Sequence, residues 1–144
     1  MVLAALVRKG FHALVPFGEG QPYDLVIALN GASFLRVQCK TARPQRGCIV
    51  FNPHATDHGR GRQSYIGRAD IFGVYFPPDE SVYLVPIDAV TRFSGRLRLE
   101  PTRNNQRRGI RFASDFEIDR WTVDSLREVL QREQPRNEPT LSVA

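Results

Sequence analysis

PYDLVIALNGASFLRVQCK, residues 22–40, consists of two apolar runs divided by Asn30-Gly31, a dipeptide suited to the left-handed backbone of a tight hairpin turn. The runs predict strands over 23–29 and 33–41. Side chains alternate between the two faces of a strand, so Leu25, Ile27 and Leu29 share one face while Asp24, Val26 and Ala28 share the other. On the return strand Leu35, Val37, Cys39 and Thr41 fall on one face, taken as the core side, and Phe34, Arg36, Gln38 and Lys40 on the other. The midpoint of positions 24 and 38 is Gly31. A pairing centred there sets Asp24 opposite Gln38 with Lys40 just beyond, and it requires a three-residue loop or a bulge instead of a two-residue turn.

Outward from this hairpin, residues 1–9 carry apolar side chains at helical spacing and stop at Gly10, a suitable C-terminal cap. Residues 11–17 read as a short buried strand. Further strands are predicted over 48–51, 69–76 and 82–86, the last two joined by the turn PPDES. Between them, NPHATDHGRGRQS (52–64) lacks periodicity and predicts a mobile loop. The segment RLRLEPTRNNQRRGIRF alternates and is crowded with arginine. Residues 122–133 predict a helix capped by Thr122, with Val123, Leu126, Val129 and Leu130 on one face. These elements suit one domain over residues 1–134, followed by a disordered tail at 135–144.

The chain has 144 residues, enough for one core, and at 42% hydrophobic and 24% charged it has the composition of a globular protein. Its apolar runs are too short to span a bilayer and no leader pattern precedes the fold, so the sequence reads as cytoplasmic and without a membrane partner. Cys39 and Cys48 have neither zinc-site spacing nor the number for a disulfide framework, and are expected as reduced thiols. The net charge of +5 suits a polyanionic partner. Of twenty basic residues only Lys9 and Lys40 are lysine, leaving eighteen arginines, so Lys40 marks a place where a compact ammonium serves better than a planar fork.

A carboxylate, an amide oxygen and an ammonium at one sheet edge suit metal-assisted phosphodiester hydrolysis. Mg²⁺ is hard, takes oxygen ligands and keeps waters, so Asp24, the Gln38 amide and the Cys39 carbonyl form a plausible ligand set; Mn²⁺ could substitute. Lys40 would orient the attacking water or stabilise the transition state. Arg43, Arg46, Arg60, Arg62 and Arg68 follow closely and could hold phosphates on either side of the cut. The bland alternative is a solvated Asp, a chance Gln-x-Lys and an ordinary basic surface. Tyr65 and Asp70 need no chemistry if the ring packs on the sheet and the carboxylate caps a neighbouring backbone group.

With PYD, RVQCKTAR, YIGRADIFGVY and VYLVP in place, the segment 10–86 resembles the PD-(D/E)xK nuclease superfamily, specifically the QxK branch typified by group I intron homing endonucleases, and more distantly archaeal Holliday-junction resolvases. By this resemblance Asp24 is the metal-binding Asp, Gln38 occupies the position more usually Glu, and Lys40 is the catalytic Lys. It implies an α/β, restriction-endonuclease-like αβββαβ core, with a mixed central sheet flanked by helices. It also implies Mg²⁺, cleavage of double-stranded or branched DNA, and a homodimer or homotetramer. Two departures stand out. Gln38 is neutral, and the Glu that relatives carry on the first helix, about three turns before its terminal Gly, would lie just before Met1. That places two alternatives beside intact activity: a first helix truncated at an internal Met, or a catalytically degenerate DNA-binding protein. Glu19 is the only nearby acid that could stand in.

Overall fold

In the computed structural model of the chain, residues 1–57, 59, 61–91 and 94–133 are described; the tail expected at 135–144, and Arg60 and His58, lie outside them. The first helix, α1 (Val2–Arg8), ends as its sequence dictates. Gly10 takes φ 83°, and its N–H and that of Phe11 return to the carbonyls of Val7 and Leu6, which satisfies the last turn. The strands that follow are β1 (His12–Leu14), β2 (Leu25–Ala28), β3 (Phe34–Thr41), β4 (Arg43–Gln45), β5 (Cys48–Phe51), β6 (His54–Asp57), β7 (Gly61–Ser64), β8 (Ile71–Phe76), β9 (Ser81–Pro86) and β10 (Gly95–Arg98). Helix α2 (Val123–Glu133) closes the described chain, and the Thr122 hydroxyl accepts from the Ser125 N–H as its cap.

The central sheet has the order β1-β2-β3-β8-β9, antiparallel except for the parallel pair β3–β8, and is therefore mixed as expected. Where an αβββαβ order puts a helix between the third strand and the next, the described crossover is built of strands and turns; α2 comes only after the sheet is complete. In the β2–β3 hairpin Leu25 opposes Val37, Val26 opposes Arg36 and Ile27 opposes Leu35, the register centred on Gly31. The Leu29 N–H closes a three-residue loop on the Ser33 carbonyl, with Gly31 at φ 81°.

Alternation along these strands gives the sheet two apolar faces. One, with Leu25, Ile27, Leu35, Val37, Ile71 and Leu84, is covered by Leu6 of α1 and Leu126 of α2. The other, with Phe72, Val74, Phe76 and Val85, is covered by a second sheet of order β10-β5-β4, through Ile49, Phe51 and Leu97. Phe51 meets Phe72 edge-on at 5.3 Å between ring centroids. The face opposite the expected core side is thus largely a second core.

Two local expectations are corrected. Residues 52–64 are not a structureless loop: β6 and β7 pair antiparallel, His54 against Ser64 and Thr56 against Arg62. Their polar composition hid them, because a two-stranded ribbon outside the core needs no apolar face. The strand at 11–17 shrinks to β1, an edge strand that leaves Leu14, Val15 and Phe17 exposed, and only Phe11 is buried there. Among the described residues no helix is long and apolar enough to cross a membrane.

Candidate active site

Pairing between β2 and β3 stops at Leu25–Val37, and the two chains part there. Asp24 sits at this fork. Its N–H still donates to the Val37 carbonyl (2.9 Å), while its carboxylate accepts from the Cys39 N–H (2.9 Å). The Asp is exposed at the mouth of a cavity of about 340 Å³, whose wall also includes the first residues of α1, Cys39, Lys40 and Tyr75. The end of α1 that borders this cavity is the end at which the family resemblance positions its further carboxylate.

Beyond the fork β3 pairs with β8 in parallel, Gln38 beside Phe72, Cys39 beside Gly73 and Lys40 beside Val74. Cys39 therefore turns to the helical side, where it is half-buried against the first core. Burial, reinforced by the Asp24 charge, pushes its thiol up to about 11, so at neutral pH it is a protonated, unreactive side chain and the residue's useful donor is its carbonyl. Gln38 and Lys40 turn to the other face. The Gln38 side-chain nitrogen lies 3.4 Å from the Cys39 carbonyl, a marginal contact, and Gln38 does not line the Asp24 cavity.

Lys40 is held firmly. Its Nζ donates to the His54 carbonyl (3.0 Å) and to the Tyr65 hydroxyl (3.2 Å), and lies 4.7 Å from the centre of the Tyr65 ring. Burial lowers its pKa below the ordinary lysine value of 10.5, and the Asp24 charge opposes that shift. Tyr65 is pushed the other way, chiefly by burial and then by Asp24, so its hydroxyl stays protonated and accepts from the ammonium through its oxygen. Asp24, Lys40 and Tyr65 thus share one electrostatic environment.

The structure brings Asp24, Cys39 and Lys40 together, with Gln38 adjacent on the second face. Tyr65 and His54 complete the seat of Lys40; sequence reasoning gave them no part in it. Asp70, the buried charged residue of the described chain, accepts from the Arg36 backbone (2.6 Å) and guanidinium (3.1 and 2.8 Å), a capping role enlarged by an ion pair. Of the arginines expected near the cut, Arg43, Arg46 and Arg62 are exposed around β4 and β7, and Arg68 donates to Gln63 (2.6 Å).

In its donors the fork offers a hard divalent cation one carboxylate and the neighbouring Cys39 carbonyl, while the Gln38 amide lies on the second face with its nitrogen towards that carbonyl. No group of three His, Cys, Asp or Glu gathers among the described residues, so Asp24 would be the single charged protein ligand.

A family model described as PD-(D/E)XK endonuclease matches residues 1–119. Among solved structures, a bacterial homing endonuclease, I-Ssp6803I, shares the fold with a TM-score of 0.58 at 23% identity, over 91% of this chain and 86% of that chain. No curated protein matches the chain.

Proposed function

Since the chain belongs to the PD-(D/E)XK endonuclease family, we propose that it hydrolyses DNA phosphodiester bonds at the β2–β3 fork, in a reaction dependent on Mg²⁺ or Mn²⁺. The observation that carries this reading is the fixed ammonium of Lys40 beside the exposed carboxylate of Asp24. Asp24 and the Cys39 carbonyl would hold the cation, joined by the Gln38 amide oxygen once that side chain turns in from the second face on metal binding; when bound the cation supplies an acidified water and offsets phosphate charge.

The residues of the chain do the rest. The Cys39 N–H fixes the Asp24 carboxylate, so its orientation is set before substrate arrives. Two of the three Lys40 N–H groups are committed to His54 and Tyr65 among the described residues, and the third is left to donate to a phosphate oxygen or the attacking water. Preorganisation of this kind lowers the barrier because no side chain reorients during the reaction.

Single-turnover cutting of supercoiled plasmid at saturating protein tests the reading. Wild type is expected to nick with Mg²⁺ and to stop when EDTA is added. Lys40→Ala and Asp24→Asn should each lose roughly 10²-fold or more in rate, the usual scale for a group acting on the transition state. Lys40→Arg should also fail, since a planar fork cannot occupy the ammonium's seat. A Lys40→Arg protein that cuts at the wild-type rate would refute the role given to Lys40.

The single charged ligand favours a second reading, a DNA-binding relative that has lost cleavage. Salt-sensitive DNA binding without metal-dependent nicking by wild type would select it.

A further inference from the structure

Strand β10 supplies the starting observation. Leu97 is fully buried and Gly95 lies beneath the Phe51 ring, so the alternate residues Arg96 and Arg98 face outward from the second sheet. Across the three strands Arg96 opposes Val50, which opposes Arg43, and Arg98 opposes Cys48, which opposes Gln45. Strands lie about 4.8 Å apart, so Arg43 and Arg96 flank a strip roughly 10 Å wide, a scale comparable with a duplex groove.

Two hollows border this strip. One, of about 570 Å³, takes in Arg43, Arg62, Arg96 and His54; the other, of about 620 Å³, takes in Arg96, Arg98, Arg111 and Asp88. They meet at Ser94 and Arg96, which line both. His54 ties the first hollow to the active site, since its carbonyl holds Lys40.

None of these five arginines is in an ion pair among the described residues. Arg98 and Arg111 are instead anchored through Nε on the carbonyls of Glu100 (2.8 Å) and Ala89 (2.6 Å). Neutral anchors orient a guanidinium without cancelling its charge, and among the described residues Asp88 is the one carboxylate in the two walls. Five like charges gathered without internal compensation suit an external polyanion.

We infer that the paired hollows along β10 are the seat of the duplex DNA that flanks the cut, its phosphates held by Arg43, Arg62, Arg96, Arg98 and Arg111. The inference rests on the nuclease reading above and extends its DNA contact to β10 and the segment bearing Arg111. Duplex DNA leaving Lys40 runs past His54 and Arg62 onto the second sheet, away from the helical layer.

Binding of a mixed-sequence duplex, measured in EDTA over a range of salt concentrations, tests it. Removing one arginine from a phosphate should reduce the slope of log K against log salt by about 1. The pair Arg96→Gln and Arg98→Gln should therefore flatten the slope by about 2 and weaken binding at least tenfold at low salt. The charge-matched pair Arg8→Gln and Arg132→Gln, on the helical layer, should leave slope and affinity near wild type. If Arg98→Gln lowers the melting temperature, Arg43→Gln with Arg96→Gln replaces it, with the same result expected. Equal losses from the strip pair and the helical pair would overturn the inference and leave the nuclease reading standing. A wild type that does not bind the duplex, or binds without salt dependence, would overturn both.

Discussion

At the scale of single residues, the decisive contact is Lys40 on Tyr65. A buried ammonium loses its proton more readily than an exposed one, so activity that needs charged Lys40 should fall on the alkaline side as pH rises through its lowered pKa. Tyr65→Phe keeps the ring but removes an oxygen that stabilises the charged form. The alkaline limb of the single-turnover rate is expected to move to lower pH by up to about one unit, the equivalent of one modest hydrogen bond. A uniform loss at every pH would mean that the Tyr65 hydroxyl positions the ammonium without tuning its charge. The pairing of Asp24 with the end of β3 could be read from the sequence, because hairpin register is local and Asn30-Gly31 fixes it. The seat of Lys40 could not: its partners lie 14 and 25 residues downstream, and no periodicity links positions brought together by a crossover.

At the scale of elements, close packing of α1 on the sheet depends on a missing side chain. A Cβ at Gly73 of β8 would stand 2.6 Å from Val2 Cγ1 and 3.1 Å from Val37 Cγ1, so Gly73→Ala must displace the start of α1. Overpacking of this kind costs about 1–3 kcal/mol, which urea unfolding would register as a lower midpoint at unchanged slope. The same helix end borders the Asp24 cavity, so cleavage should fall as well; a variant with wild-type stability would show that α1 yields without cost. Both helices and the strands of the central sheet were legible because each has an apolar face of the right period. The β6–β7 ribbon was not, because its residues answer to pairing and turn geometry rather than to burial.

At the scale of the whole molecule, one five-stranded sheet serves two cores. Among the described residues neither the helical layer nor the second sheet has an independent apolar partner, so the two should unfold together. Trp121, the sole tryptophan, packs against the helical core, and its fluorescence should follow the same urea transition as far-UV circular dichroism. Separated midpoints would show that one layer survives without the other. The double core escaped the sequence reading because Arg36, Gln38 and Lys40 make that face of β3 read as polar, while Phe72 and Val74, beside Gln38 and Lys40 on β8, lie beneath the second sheet. The β6–β7 ribbon carries a practical consequence for engineering. Among the described residues the two atoms that seat Lys40 come from the ribbon's root, His54 at its first residue and Tyr65 immediately after its last, so neither anchor is drawn from the tip. A designer could lengthen or exchange the tip beyond the Thr56–Arg62 rung as a cassette, altering what it reaches for while the lysine keeps its two anchors.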